Sequence, residues 1–171
     1  MLTALLISFA GAQLHWGGPE VKNLHGTVGK HTYAIMLKQA NFKVGKRKLT
    51  GKALDPPTKE GQYLYPMIDG KELTGDDGVF VPKGSTLKIE MEKIFTELVA
   101  FTASIDGKPI QISPSLYRDL LWPGMDASAK LSKDGQKLVV VRGGSDGAGA
   151  YSVTWTLRRN GECSRKIESM D

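Results

Sequence analysis

Apolar and polar residues alternate along this chain in short runs, each cut off by a glycine, an Asp-Gly pair or a proline. Short alternating runs bounded by turn residues are the signature of β-strands. Residues 32–39 (TYAIMLKQ) read as a partly buried strand, and 62–68 and 79–81 as shorter ones. Leu87, Ile89 and Met91 alternate with Lys88, Glu90 and Glu92, which predicts a half-buried strand. Ile94, Leu98 and Phe101 are spaced as a helical stripe, but 98–105 also reads as a strand entering Asp106-Gly107, and the strand is preferred. Residues 42–54 are basic and alternating, suiting a strand or hairpin with one solvated face. Asp55-Pro56-Pro57 ends that stretch, because proline donates no backbone hydrogen bond and restricts the residue before it. In the last third, 129–131, 137–142, 150–158 and 163–167 form two successive hairpin-like pairs.

The turns are as informative as the strands. Ile68-Asp69-Gly70-Lys71 and Ile105-Asp106-Gly107-Lys108 are nearly identical, and Asp-Gly between extended flanks suits the two positive φ values of a type I′ hairpin turn. Asp76-Asp77-Gly78, Lys133-Asp134-Gly135 and Arg159-Asn160-Gly161 share that chemistry. Ser113-Pro114 reads as an N-cap followed by a helix-initiating proline, predicting one short helix near 114–121 that stops at Pro123-Gly124. Twenty glycines and eight prolines fit many turns. The expected fold class is therefore mainly β, an antiparallel β-sandwich, with residues 13–171 as a single domain.

The run from Asp146 to Trp155 (DGAGAYSVTW) resembles the end of immunoglobulin-like β-sandwiches, where an Asp…Gly/Ala…Tyr stretch precedes a long buried strand. The resemblance implies an immunoglobulin-like sandwich with a tyrosine corner at Tyr151. Here Tyr151 lies one residue further from Asp146 than in the antibody pattern, and Val153 stands where that pattern has cysteine. Together with 138–141 and Arg159-Asn160-Gly161, the region also resembles the C-terminal hairpins of CopC-like copper-binding sandwiches, over about residues 129–168. In that family the copper site uses an N-terminal histidine and another near the final turn. This chain has Asn160-Gly161-Glu162 at that turn, so the likeness implies a fold rather than a metal site.

Charge and the N-terminus add a setting. The net charge of +5 favours association with anionic surfaces. Residues 2–9 (LTALLISF) are apolar and are followed by Ala10-Gly11-Ala12, which suits an export signal cleaved after residue 12; a buried first strand or an amphipathic lead-in is the alternative. The apolar run is too short to span a bilayer as a helix. With Cys163 the only cysteine, no intrachain disulfide is possible.

Candidate chemistry is sparse. His15, His25 and His31 all fall near the N-terminus, and imidazole is a common ligand for copper or zinc. Cleavage after Ala12 would leave Gln13-Leu14-His15, a terminus able to hold Cu(II) in square-planar geometry. Their spacing matches no metal motif, and no cofactor is the first expectation. Lys43, Lys46, Arg47, Lys48 and Lys52 form a cationic stretch suited to anions, or to a solvated edge strand. Tyr117, Arg118 and Trp122 concentrate aromatic and ionic groups in a predicted loop, a composition typical of binding surfaces. The Gly-rich stretch 143–149 runs into a strand rather than a helix, which argues against phosphate cradling.

The function expected from the sequence is an exported, non-enzymatic binding or structural module of the cell envelope, contacting a protein or envelope polymer through Tyr117, Arg118 and Trp122. The alternatives are an anion- or nucleic-acid-binding protein using residues 43–52, and a periplasmic copper-binding protein.

Overall fold

A computed structural model describes residues 19–73, 78–121, 123–144 and 150–170. The fold is mainly β, with antiparallel sheets and one α-helix. In chain order the elements are β1 (Glu20–Val28), β2 (His31–Asn41), β3 (Leu49–Ala53), β4 (Gly61–Ile68), β5 (Lys71–Glu72), β6 (Val79–Pro82), α1 (Leu87–Ile94), β7 (Thr96–Ile105), β8 (Lys108–Ile110), a single 3-10 turn (Pro114–Leu116), β9 (Pro123–Leu131), β10 (Lys137–Gly144), β11 (Tyr151–Arg158) and β12 (Cys163–Ser169). Among the described residues no helix is long and apolar enough to cross a membrane.

Two four-stranded sheets, ordered β1-β2-β7-β8 and β12-β11-β10-β9, contribute to one buried cluster. Ile35 and Leu37 of β2 and Phe101 and Ile105 of β7 meet Leu138, Val140, Val153, Trp155 and Leu157 from the other sheet. Buried and more exposed positions alternate along these strands, which puts one face of each inward. Trp155 is fully buried, packs edge-on against Phe101 at 4.9 Å, and donates its indole N–H to the Leu116 carbonyl at 2.7 Å. Arg142, also facing the core, donates to Gln39 Oε1 at 3.2 Å, and Gln39 Nε2 donates to Thr96 Oγ1 at 2.9 Å. A polar bridge thus crosses between the sheets, giving these buried groups partners where isolation would cost stability.

The Asp-Gly turns form as their chemistry predicts. Asp69 and Gly70 have φ of 52° and 77°, and Asp106 and Gly107 have 51° and 73°, each pair closing a tight hairpin. Asp106 does more than turn the chain. Its carboxylate accepts from the Thr32 amide at 2.9 Å, meets His31 Nδ1 at 2.8 Å and pairs with Arg159 at 3.0 Å, tying three hairpins at one end of the sheets. Of the Asp76-Asp77-Gly78 turn, only Gly78 lies within the described residues.

Between β2 and β7 the chain makes a separate layer. Strands β3, β4, β5 and β6 form a small antiparallel sheet, with β4 central, and α1 packs on it over a second cluster that includes Phe42, Val79, Met91 and Phe95. The segment leaves and re-enters through one neck, where Asn41 pairs with Thr96 and the Phe42 amide donates to the Phe95 carbonyl at 2.9 Å.

Three expectations need correction. Residues 87–92 are helical, not a strand: Thr86 caps the helix by accepting from the Ile89 amide at 3.3 Å, Glu90 bonds Ser85 and pairs with Lys93, and Leu87, Met91 and Ile94 make an i, i+4, i+7 stripe. Ile89, which the strand reading placed inward, is 47% exposed. The helix expected near 114–121 is only the 3-10 turn Pro114–Leu116, although Ser113 and Pro114 start it as foreseen. Of the basic stretch, 42–48 is loop and only Leu49–Ala53 is strand.

The tyrosine corner is also replaced. Tyr151 lies across Gly144, where a Cβ would sit 2.2 Å from its ring, and its hydroxyl donates to the Leu121 carbonyl at 3.0 Å, a long-range contact. Burial raises the hydroxyl pKa far above its ordinary value. Gly144 is therefore glycine to make room for a ring. Residues 145–149 of the Gly-rich stretch lie outside the described residues.

Candidate functional site

A register shift between Lys38 and Gln39 sets up the site. Lys38 pairs with Ala100 while Gln39 pairs with Leu98, so Val99 is an extra residue in β7. Such a bulge re-aims the side chains on either side of it. Phe101, Ala103 and Ile105 face the core beyond it, and Leu98 and Thr96 do so before it. Glu97 and Val99 consequently point to the opposite face, over which the 42–48 loop folds.

Glu97 is buried, its side chain only 3% exposed, and a lone carboxylate there would be costly. Arg47 meets it with two parallel bonds of 2.9 Å, from Nη1 to Oε2 and from Nη2 to Oε1. The Lys43 amide adds a third at 3.2 Å. The guanidinium also bonds the Lys43 and Val44 carbonyls and lies 4.8 Å from the centre of the Phe42 ring. Bidentate pairing of this kind fixes geometry as well as charge. From α1, Glu92 accepts from the Val44 amide at 2.9 Å and stands 3.5 Å from the Lys43 ammonium. That amide bond, ahead of the cost of burial and the nearby lysine, holds the Glu92 carboxyl below its ordinary pKa. Glu92 and Glu97 thus pin both sides of the loop.

The pinned loop walls an open cleft of about 570 Å³. Ala40, Val44 and Val99 give it an apolar floor, Lys43 and Lys46 line one side, and Arg118 reaches in from the turn after the 3-10 segment. Two candidates that were separate in sequence therefore meet. Glu97 is neutralised by Arg47, so Arg47 is part of the scaffold rather than a free cation. Lys46 and Arg118 are exposed and make no ion pair among the described residues.

The remaining candidates fall elsewhere. Tyr117 is buried, edge-on to Phe101, and is a core residue instead of a surface contact. Lys48 and Lys52 are exposed and line no part of the cleft. Trp122 and His15 lie outside the described residues, as does the 1–12 segment. His25 is exposed on β1, whereas His31 is engaged by Asp106. Among the described residues no three His, Cys, Asp or Glu side chains gather as metal ligands would. Burial raises the Cys163 thiol pKa, which disfavours the reactive thiolate. Glu97, Asp69 and Val99, all lining the cleft, were not foreseen; the bulge that aims two of them leaves no local sequence signal.

No family model, curated protein or solved structure matches this chain.

Proposed function

We propose that this protein is an exported, non-enzymatic binding module, built on a β-sandwich of immunoglobulin-like layering, that takes an anionic ligand into the cleft between the 42–48 loop and Arg118. One observation carries the reading: Arg118 converges with Lys43 and Lys46 on a single cleft whose buried acid is already neutralised by Arg47. The cations left facing solvent form a positive rim above an apolar floor, which suits an anion attached to a less polar body. Layering of the two sheets over a shared core supports the sandwich reading. Export rests on the apolar residues 2–9 and the small residues after them.

The test is binding of a sulfated polysaccharide to the full chain across a range of ionic strength. Affinity should be measurable at low salt and fall as salt rises. Combined Lys46→Glu and Arg118→Glu should weaken it at least about tenfold, ~1.4 kcal/mol. Combined Lys133→Glu and Lys137→Glu, the same change in net charge on the β9–β10 hairpin, should leave it within about twofold. Equal loss in both variants would reduce the effect to overall charge and sink the site.

A further inference from the structure

The first cleft continues into a second. A neighbouring open cleft of about 360 Å³ shares Arg47, Asp69 and Arg118 with it and extends past Lys71 and Glu72 of the Asp69-Gly70 hairpin to Asp119. The type I′ turn brings Lys71 to this position, because it reverses the chain within two residues and sets Lys71 directly after the reversal. Arg118 stands on the wall common to both clefts.

The acids along this trough are mostly engaged. Glu97 is held by Arg47, and Asp119 by two bonds from Arg165, at 2.5 and 2.9 Å. Asp69 Oδ1 accepts from the Lys48 amide at 2.9 Å. Lys46, Arg118 and Lys71, in contrast, make no ion pair among the described residues, and all three are exposed. Asp69 and Glu72 are exposed acids that likewise make no ion pair among the described residues. Unpaired cations thus line the first cleft (Lys46), the wall common to both (Arg118) and the second cleft (Lys71). A small anion would meet one of these cations. A chain bearing an anion at successive units would meet all three.

The lining also distinguishes between classes of polyanion. Among the described residues no aromatic ring lines either cleft, so none of them offers unstacked bases a platform. The exposed rings of Tyr63 and Phe80 pack on each other at 5.1 Å on β4 and β6, away from this lining. Val44, Val99, Ile68 and Leu73 offer aliphatic walls, suited to the C–H faces of sugar rings.

We infer that the ligand is a linear acidic polysaccharide, carrying sulfate or carboxylate on successive sugars, that lies across both clefts with Lys46, Arg118 and Lys71 as its charge contacts. This rests on the anion-binding reading above. The test is calorimetric titration of the full chain with inorganic sulfate, sulfated oligosaccharides of increasing length, oligogalacturonates of matching length, and single-stranded DNA of matching charge.

Affinity for one of the two sugar series should climb with length and then level off, and the series that does so identifies sulfate or carboxylate as the anion. Lys71→Glu should weaken the long oligomers about tenfold and leave the disaccharide unchanged, while Glu72→Gln should tighten the long oligomers only. Lys71→Ser, a milder change at an exposed turn, should lower the slope of log K against log salt by about 1. A disaccharide or free sulfate binding as tightly as the longest oligomer would overturn the extended site while leaving the anion reading intact. So would an equal effect of Lys71→Glu on short and long chains. Tighter binding of DNA than of either sugar series would overturn the polysaccharide assignment. Failure of every probe to bind at low salt would end both readings.

Discussion

The paired sheets and the segment inserted between β2 and β7 solve the same burial problem differently. In the sheets, β2 and β7 run eleven and ten residues and stack inward-facing side chains over a shared core that buries Trp155 completely. In the insertion, strands of two, four, five and eight residues are too short to do this alone, and α1 covers them by pressing Met91 into a separate cluster. Regular pairing gives the first region its rigidity. The second contributes irregular backbone: the pinned 42–48 loop and the Asp69-Gly70 turn. The charged groove lies along their seam, with Ala40, Val99 and Arg118 from one side and Lys43, Lys46 and Lys71 from the other. A rigid support and a decorated edge are what a binding site needs.

That division can be tested by damaging each region in turn. Trp155→Ala removes the largest buried side chain among the described residues and leaves the Leu116 carbonyl without its donor, and should cost about 3–5 kcal/mol in denaturant unfolding. Met91→Ala should cost about 2–4 kcal/mol, with the loss confined by hydrogen exchange to residues 42–95 while β10 and β11 keep their protection. A uniform loss of protection would mean that the two clusters open as one unit.

At the seam, Glu97→Gln leaves Arg47 without its carboxylate and should cost on the order of 3 kcal/mol, with weaker anion binding because the 42–48 loop loosens. If stability fell but binding held, the loop would not be what shapes the cleft.

The smallest effect concerns pH and belongs to the sheets. The Thr32 amide first, then His31 and Arg159, hold the Asp106 carboxyl below its ordinary range. A depressed carboxylate stabilises the fold above its unfolded pKa of about 3.9 and loses that contribution as pH falls through the lower folded value. Asp106→Asn should therefore lower stability slightly near neutrality, where the carboxylate is charged, and flatten the decline below about pH 4, where the two proteins converge. An unchanged acid limb would show that this tie between hairpins carries no linkage.

Much of the sheet region was legible in the sequence because its determinants are local. The Asp106-Gly107 pair named its own turn, and 137–142 and 150–158, read as a hairpin-like pair, form β10 and β11. The insertion was harder to read. Leu87, Ile89 and Met91 satisfy period two, while Leu87, Met91 and Ile94 satisfy the helical period, and the Thr86 cap decides between them. Tyr117 and Arg118 are adjacent in sequence, yet one packs into the core and the other faces the groove, a difference set by the 3-10 turn rather than by residue type. The groove itself depends on contacts far apart in the chain, Arg47 with Glu97 and Arg118 beside Lys46, which no short window contains.

The neck at Asn41 and Thr96 has one more consequence. Since those residues are cross-strand partners, the whole excursion from Phe42 to Phe95 is topologically a long hairpin loop. Loop-closure entropy grows only logarithmically with length, so such an excursion can be lengthened, shortened or exchanged at modest cost to the sheets that carry it. The neck is a natural splice point. A two-residue Asn-Gly turn joining β2 to β7 would leave a bare pair of meanders, and other loops could be grafted at the same junction to give the scaffold different specificities.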